Sequence, residues 1–181
     1  SPIQSVSIEC HGDIEDSKPV ALSFLIGLIQ DMTDSKINFV NADVVAQERG
    51  IDFSHSLTSE SVSFANLVKI IIITNENEIT LAGSVFGKQN FRIVNILGYE
   101  LDFQPKGNML FLQNKDVPGV IGKVGMLLSD SNVNIGEYLL SRTISKEGAY
   151  SVIKVDDQIN AELLNQLTKV DEILSIKQLS V

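Results

Sequence analysis

Asn114, Asp116 and Asn134 are the residues of this chain whose type and spacing could hold a small polar ligand. Asn114 and Asp116 lie in a polar turn, Gln113 to Val117, that follows a short apolar strand, Met109-Leu110-Phe111-Leu112. Pro118-Gly119 then opens a predicted helix over 118–130, in which Val120, Ile121, Val124, Leu127 and Leu128 recur at helical spacing. Pro118 suits the first helical turn, where its missing N–H has no intrahelical partner to lose. Ser129 to Asn132 closes the helix, and Val133-Asn134-Ile135 begins the next strand. The polar turn is therefore expected to converge with Asn134 and with the N–H groups of a helix N-terminus. Such a corner has donors for a carboxylate and an acceptor for an ammonium, the two charges of a small amino acid. The same residues also have a purely structural reading. If the helix starts at Pro118, Val117 takes the cap position and Asp116 is left for a ligand. If it starts one residue earlier, Asp116 is the cap and the asparagines satisfy turn backbone.

Other chemistry finds little support. No Gly-x-Gly-x-x-Gly follows a strand, and Gly83-Ser84-Val85-Phe86-Gly87 lacks the lysine of a phosphate loop. Gly119, Gly122 and Gly125 lie three apart in the predicted helix, a spacing expected to serve close packing on the sheet. His11 and His55 are the two histidines and stand apart from any metal-ligand spacing. With no Ser/His/Asp, Cys/His or paired-carboxylate arrangement, neither a catalytic nor a metal site is expected. The formal net charge of -9 disfavours nucleic acid and anionic membrane as partners. The longest apolar run, Leu67 to Ile73, is interrupted by Lys69 and is too short to span a bilayer. A single cysteine, Cys10, and no secretory n- and h-region at the start point to the cytoplasm. Ser1-Pro2 without a methionine suggests a piece of something longer.

The elements that must position these residues follow in chain order. Gln4, Val6, Ile8 and Cys10 alternate with polar neighbours in a half-buried first strand. Ser17 and Pro19 open a helix expected to bury Val20, Phe24, Leu25, Leu28, Ile29 and Met32, ended by Asp34-Ser35-Lys36. Asn41 is predicted to cap a short helix through Glu48, with Gly50 stopping it in the left-handed conformation. Strands are expected at 52–58, 61–74, 79–86, 92–96 and 99–103, with reversals at Asn75 to Glu78 and at Gly98. Gln104-Pro105-Lys106-Gly107 reads as a linker, so the domains are placed at 1–105 and 106–181. The second then runs strand 109–114, helix 118–130, strand 133–143, strand 147–155 turned by Lys146-Glu147-Gly148, helix 160–169 and strand 172–180. This predicts an α+β protein: a mixed α/β domain followed by a ferredoxin-like βαββαβ domain, two helices covering one face of a four-stranded sheet. The other face is expected to stay open unless a partner covers it, and an outer strand to offer an edge to a second copy.

Two sets of residues carry a resemblance. Asp116-Val117-Pro118-Gly119-Val120-Ile121-Gly122-Lys123-Val124-Gly125 with Asn132-Val133-Asn134-Ile135 resembles the ACT regulatory domain of D-3-phosphoglycerate dehydrogenase. Three earlier segments are similar to the intervening, or allosteric substrate-binding, domain of that enzyme's long form. They are Val40-Asn41-Ala42 with Ala46 to Ile51, Gly83 to Gly87, and Arg92 to Tyr99. The resemblance implies a non-catalytic regulatory fragment of an enzyme of L-serine biosynthesis. It implies an NAD-dependent catalytic part before Ser1, and no cofactor in this piece. It implies L-serine as feedback effector, bound between the ACT domains of two subunits joined edge to edge in a homo-oligomer. By position, its serine-contacting places fall on Asn114, Asp116 and Asn134, although Asn114 stands where the family carries histidine or tyrosine. The family's anion site in the intervening domain falls on Arg92 and Lys154; a third basic place holds Gln104, with Lys106 nearby. Two alternatives remain: the β part of an iron–sulfur L-serine dehydratase, and a free-standing ACT amino-acid sensor. The absence of a cysteine cluster and of a Gly-Pro-Ser-Ser-Ser-His stretch counts against the dehydratase.

Overall fold

A computed structural model describes residues 1–33, 36–60, 63–143 and 148–181. The expected helix stop at Asp34-Ser35 and the turn at Lys146-Glu147 fall outside these residues. Among the described residues the chain is α+β, with four α-helices and two sheets. It divides into two compact units, Ser1–Leu97 and Gly98–Val181, so the division falls at the Leu97-Gly98 reversal and not at Gln104 to Gly107.

In the first unit, β1 (Ile3–Gly12) leads through α1 (Ser17–Ile29) and α2 (Ala42–Glu48) to β2 (Asp52–Thr58), which pairs with β1 in parallel. A parallel pair needs a crossover of this length, and helices supply it. β3 (Asn66–Thr74), β4 (Glu78–Phe86) and β5 (Asn90–Ile96) then add antiparallel neighbours in the order β2-β1-β3-β4-β5. The period-2 pattern of β1 puts Val6, Ile8 and Cys10 at 0% exposure, packed with Leu25, Ile29, Ala42 and Ala46 from the helices. Within α1 the fully sequestered face is Ala21, Leu22, Leu25 and Ile29; Val20, Phe24 and Leu28 are half-buried. Met32 is exposed, because the chain tightens into a 3-10 turn after Ile29 and rotates it off the apolar stripe. Gly50 stops α2 at φ +73 as predicted. Asn41 holds the cap position, but its side chain turns back to accept from the Asn38 N–H at 2.8 Å instead of capping α2.

The second unit opens with β6 (Tyr99–Phe103). The ferredoxin-like order follows: β7 (Asn108–Asn114), α3 (Val120–Asp130), β8 (Ile135–Arg142), β9 (Ala149–Val155), α4 (Ala161–Thr168) and β10 (Ile173–Ser180). The sheet runs β10-β7-β9-β8. Leu110, Leu112, Ile153 and Val155 pack under Val120, Val124 and Leu128 of α3 and Leu163 and Leu167 of α4. The opposite face does not stand open as expected. Tyr99, Leu101 and Phe103 of β6 alternate inward and are buried, with Tyr99 stacked on Tyr150 at 5.4 Å and Phe103 edge-on to Phe111 at 6.1 Å. Aromatic side chains of β6 thus supply apolar cover from within the unit, each contributing roughly 1.5–3 kcal/mol by burial.

That arrangement makes Phe103 a core residue of the second unit. Phe103→Ala is expected to destabilise it by about 3–5 kcal/mol, read from the denaturant midpoint at unchanged slope. A cost below ~1 kcal/mol would show that β6 is only loosely attached.

Candidate functional site

The helix that frames the polar turn starts later than the sequence suggests. Gly119 takes the cap position at φ +94, with no side-chain cap, and α3 begins at Val120. Neither Val117 nor Asp116 is the cap, and Pro118 lies in the preceding turn. The left-handed backbone at Gly119 is the reason: it interrupts the helical path two residues after Val117. The glycine spacing is also explained differently than expected. A Cβ at Gly122 or Gly125 would meet nothing within 4 Å, because α3 packs through Val120, Val124 and Leu128. The glycines face outward, beside exposed Ile121 and Met126.

Asn114, at the end of β7, is 1% exposed. Its Nδ2 donates to the Lys115 carbonyl at 2.8 Å, and its Oδ1 accepts from the Ser151 hydroxyl at 3.4 Å. Strand alternation puts it on the helix-covered face with Leu110 and Leu112. Gly148, at φ +90, presses against the Asn114 carbonyl so closely that a Cβ would overlap its oxygen. The Tyr138 hydroxyl is buried without a hydrogen bond to this group; burial pushes its pKa up, a shift the Ser151 side chain partly offsets. Asn114 is therefore tied into the scaffold and its side chain is removed from solvent.

Asp116, by contrast, is exposed and pairs with Arg142, the last residue of β8, at 2.9 Å. The register explains the meeting: Asn114 faces Ala149, and Ala149 faces Arg142, on one rung of the sheet. Sequence reasoning missed Arg142. Its signal was a charged residue ending a strand face that otherwise carries Tyr138 and Leu140. Close by, the Lys123 ammonium bonds Glu172 and holds that carboxyl below its ordinary range.

Asn134 is not part of this corner within one chain. It precedes Ile135, which shares the opposite end rung with Val155 and Asn108. At ~3.3 Å per residue, the eight-residue strand β8 separates it from Arg142 by roughly 25 Å. Its Nδ2 donates to Asp156 Oδ2 at 2.8 Å. The chain reaches Asn134 by running back along α3, so the expected convergence fails for a topological reason: a helix returns it to the far end.

Of the expected anion site, Lys106 and Lys154 line one depression of about 580 Å³ in the second unit, together with Glu137 and Asp156. Lys154 is paired with Glu137 at 2.9 Å, which lowers the positive field there. Arg92 belongs to the first unit, on β5 opposite Ser84.

Comparison with known proteins gives these features a context. Residues 1–97 match the family of the D-3-phosphoglycerate dehydrogenase intervening domain. Over 178 residues the chain is 31% identical to D-3-phosphoglycerate dehydrogenase of Bacillus subtilis (strain 168), covering 97% of this chain and 34% of that protein. The Archaeoglobus fulgidus enzyme of the same name is 34% identical over 176 residues, covering 95% and 33%. That of Synechocystis is 28% identical over 171 residues, covering 93% and 31%. The chain spans about a third of the length of these curated relatives. Among the described residues, no helix is long and apolar enough to cross a membrane.

The two polar positions should separate experimentally. Asn114→Ala leaves the buried Ser151 hydroxyl without its acceptor and removes one of the two hydrogen bonds to the Lys115 carbonyl, the other coming from the Val117 N–H, and is expected to cost about 1–3 kcal/mol. Asp116→Ala removes an exposed ion pair and no cap, at no more than ~1 kcal/mol. Thermal melts of both variants in ligand-free buffer check the order.

Proposed function

Because the chain belongs to the family of the D-3-phosphoglycerate dehydrogenase intervening domain, we propose that it is the non-catalytic regulatory part of such an enzyme. Its second unit would be an ACT domain that binds L-serine as feedback effector between two copies, the catalytic NAD-dependent part lying elsewhere in the full-length protein. The observation that carries this reading is the separation of Asp116 and Asn134 to opposite ends of the sheet. In one chain they cannot touch a molecule as small as serine. β8 is the outer strand of the sheet, and a two-fold axis pairing β8 with β8 of a second copy runs the strands antiparallel. Each Asn134 then lies beside the Asp116 end of its partner. α4 packs along β10, which leaves α3 over the β8 half, so the outward Ile121, Gly122, Gly125 and Met126 would approach their counterparts.

In this arrangement the serine ammonium sits by Asp116, its carboxylate faces the N-terminus of α3, and Asn134 of the partner subunit fixes its orientation. Asn114 supports the turn from below and makes no ligand contact. The ligand bridges two copies, which is how it could bias an equilibrium elsewhere in the enzyme.

Light scattering at micromolar concentration should therefore report a particle of at least twice 19.8 kDa; a monomer would sink the shared site. Calorimetric titration of L-serine should give binding to wild type and a roughly tenfold or greater loss in Asp116→Ala and in Asn134→Ala. Mixing those two variants regenerates intact sites only if each site draws on both chains. After random exchange, about a quarter of the wild-type stoichiometry should return. No recovery would place the site within one chain, and no heat with wild type would remove it altogether.

A further inference from the structure

We infer that Arg142 is the residue that reads the ligand carboxylate at this corner, and that the Asp116–Arg142 ion pair is a stand-in for the bound ligand. This rests on the amino-acid reading above. Asp116 is not a free acceptor waiting for an ammonium, since Arg142 already occupies it at 2.9 Å. The two side chains come from different elements, the turn after β7 and the end of β8, and both stay open to solvent, at 39% and 68% exposure. A pair this exposed is weakly held and can exchange partners at little cost. A zwitterionic α-amino acid brings the complementary charges in one small molecule. Its ammonium takes over the Asp116 carboxylate, and its carboxylate takes over the released guanidinium, whose planar fork suits two-pronged recognition. No charge is left unpaired in either state.

The neighbouring cations fit this assignment poorly. Lys123 bonds Glu172, and the charge of Lys115 acts on that same carboxyl. Among the described residues Arg142 is the cation paired with Asp116, and the exchange makes it a specificity-determining residue. It selects ligands carrying both charges over amines that lack a carboxylate.

The test is calorimetric titration of the 181-residue chain with L-serine and with L-serinamide, which keeps the ammonium and hydroxyl but loses the carboxylate. Arg142→Gln should weaken L-serine about tenfold or more and shrink the preference for L-serine over L-serinamide by a similar factor. Arg142→Lys, which keeps the charge but not the fork, should fall between. Melting curves should show Arg142→Gln folded like wild type, because the side chain is exposed. The inference is overturned if Arg142→Gln binds L-serine as well as wild type or more tightly, for then Arg142 is only the counter-ion of Asp116. If Asp116→Ala and Asn134→Ala lose binding while Arg142→Gln does not, this inference falls and the effector site stands. If wild type binds no L-serine, the effector site itself falls and takes this inference with it.

Discussion

The hydrogen-bond register of β9 between β7 and β8 is the constraint on which the second unit depends. It sets Asn114, Ala149 and Arg142 on one rung and Asn108, Val155 and Ile135 on the last. Since side chains alternate with period two, a slip of one residue in either ladder would turn Leu112 or Ile153 away from the helices. It would also carry Arg142 away from Asp116. Packing and charge pairing therefore select the same register. Gly148 reinforces it: only a residue without Cβ lets β9 begin against the Asn114 carbonyl in that backbone conformation.

The same register separates two classes of polar residue that look alike in sequence. Asn114 and Asp116 are two apart, polar and next to a helix, yet one is sealed and the other open. Alternation sends Asn114 into the helix-covered face, where an unpaired amide would cost more than a hydrogen bond returns. Ser151 and the Lys115 carbonyl meet that demand. Beyond the last rung Asp116 is free of the sheet, so its charge is screened and its partner exchangeable.

Local pattern made most of the architecture legible. A period-two run marked β1, a short apolar run marked β7, and helical spacing marked α3, although it counted the exposed Ile121 with the buried Val120, Val124 and Leu128. Gly50 announced the end of α2 through its conformational freedom alone. What was not legible depended on non-local geometry. Nothing near Gly119 in sequence says that its φ is positive, so both expected starts of α3, with Val117 or with Asp116 as the cap, fall short of the Gly119 cap. Gly122 and Gly125 read as close packing because spacing cannot tell the inward from the outward side of a helix. Tyr99, Leu101 and Phe103 alternate as a strand, but their cover over Phe111 and Tyr150 needs a tertiary partner. At the candidate site, residue types pointed to Asn114, Asp116 and Asn134, while sequence proximity hid the length of α3 and β8 that holds Asn134 away. Arg142 carried a signal as the charge ending the β8 face, but its partner was hidden for the same reason, since it lies far along the chain from the carboxylate it touches.

Electrostatics accounts for why such a corner sits at the margin of the sheet and not within it. An ion pair taken out of water must recover several kcal/mol of desolvation per charge, and once formed it resists opening because each freed charge would again be stranded. At the rim, water solvates both groups during an exchange, so the barrier to replacing one partner by another is low. The contribution of the resting pair to stability is correspondingly small. A site built on Asp116 and Arg142 therefore costs the fold little when it opens, while the buried Asn114–Ser151 contact a few ångströms inward keeps the turn in place. Rigid support from the last rung and an exchangeable pair just beyond it both follow from β7 ending at Asn114.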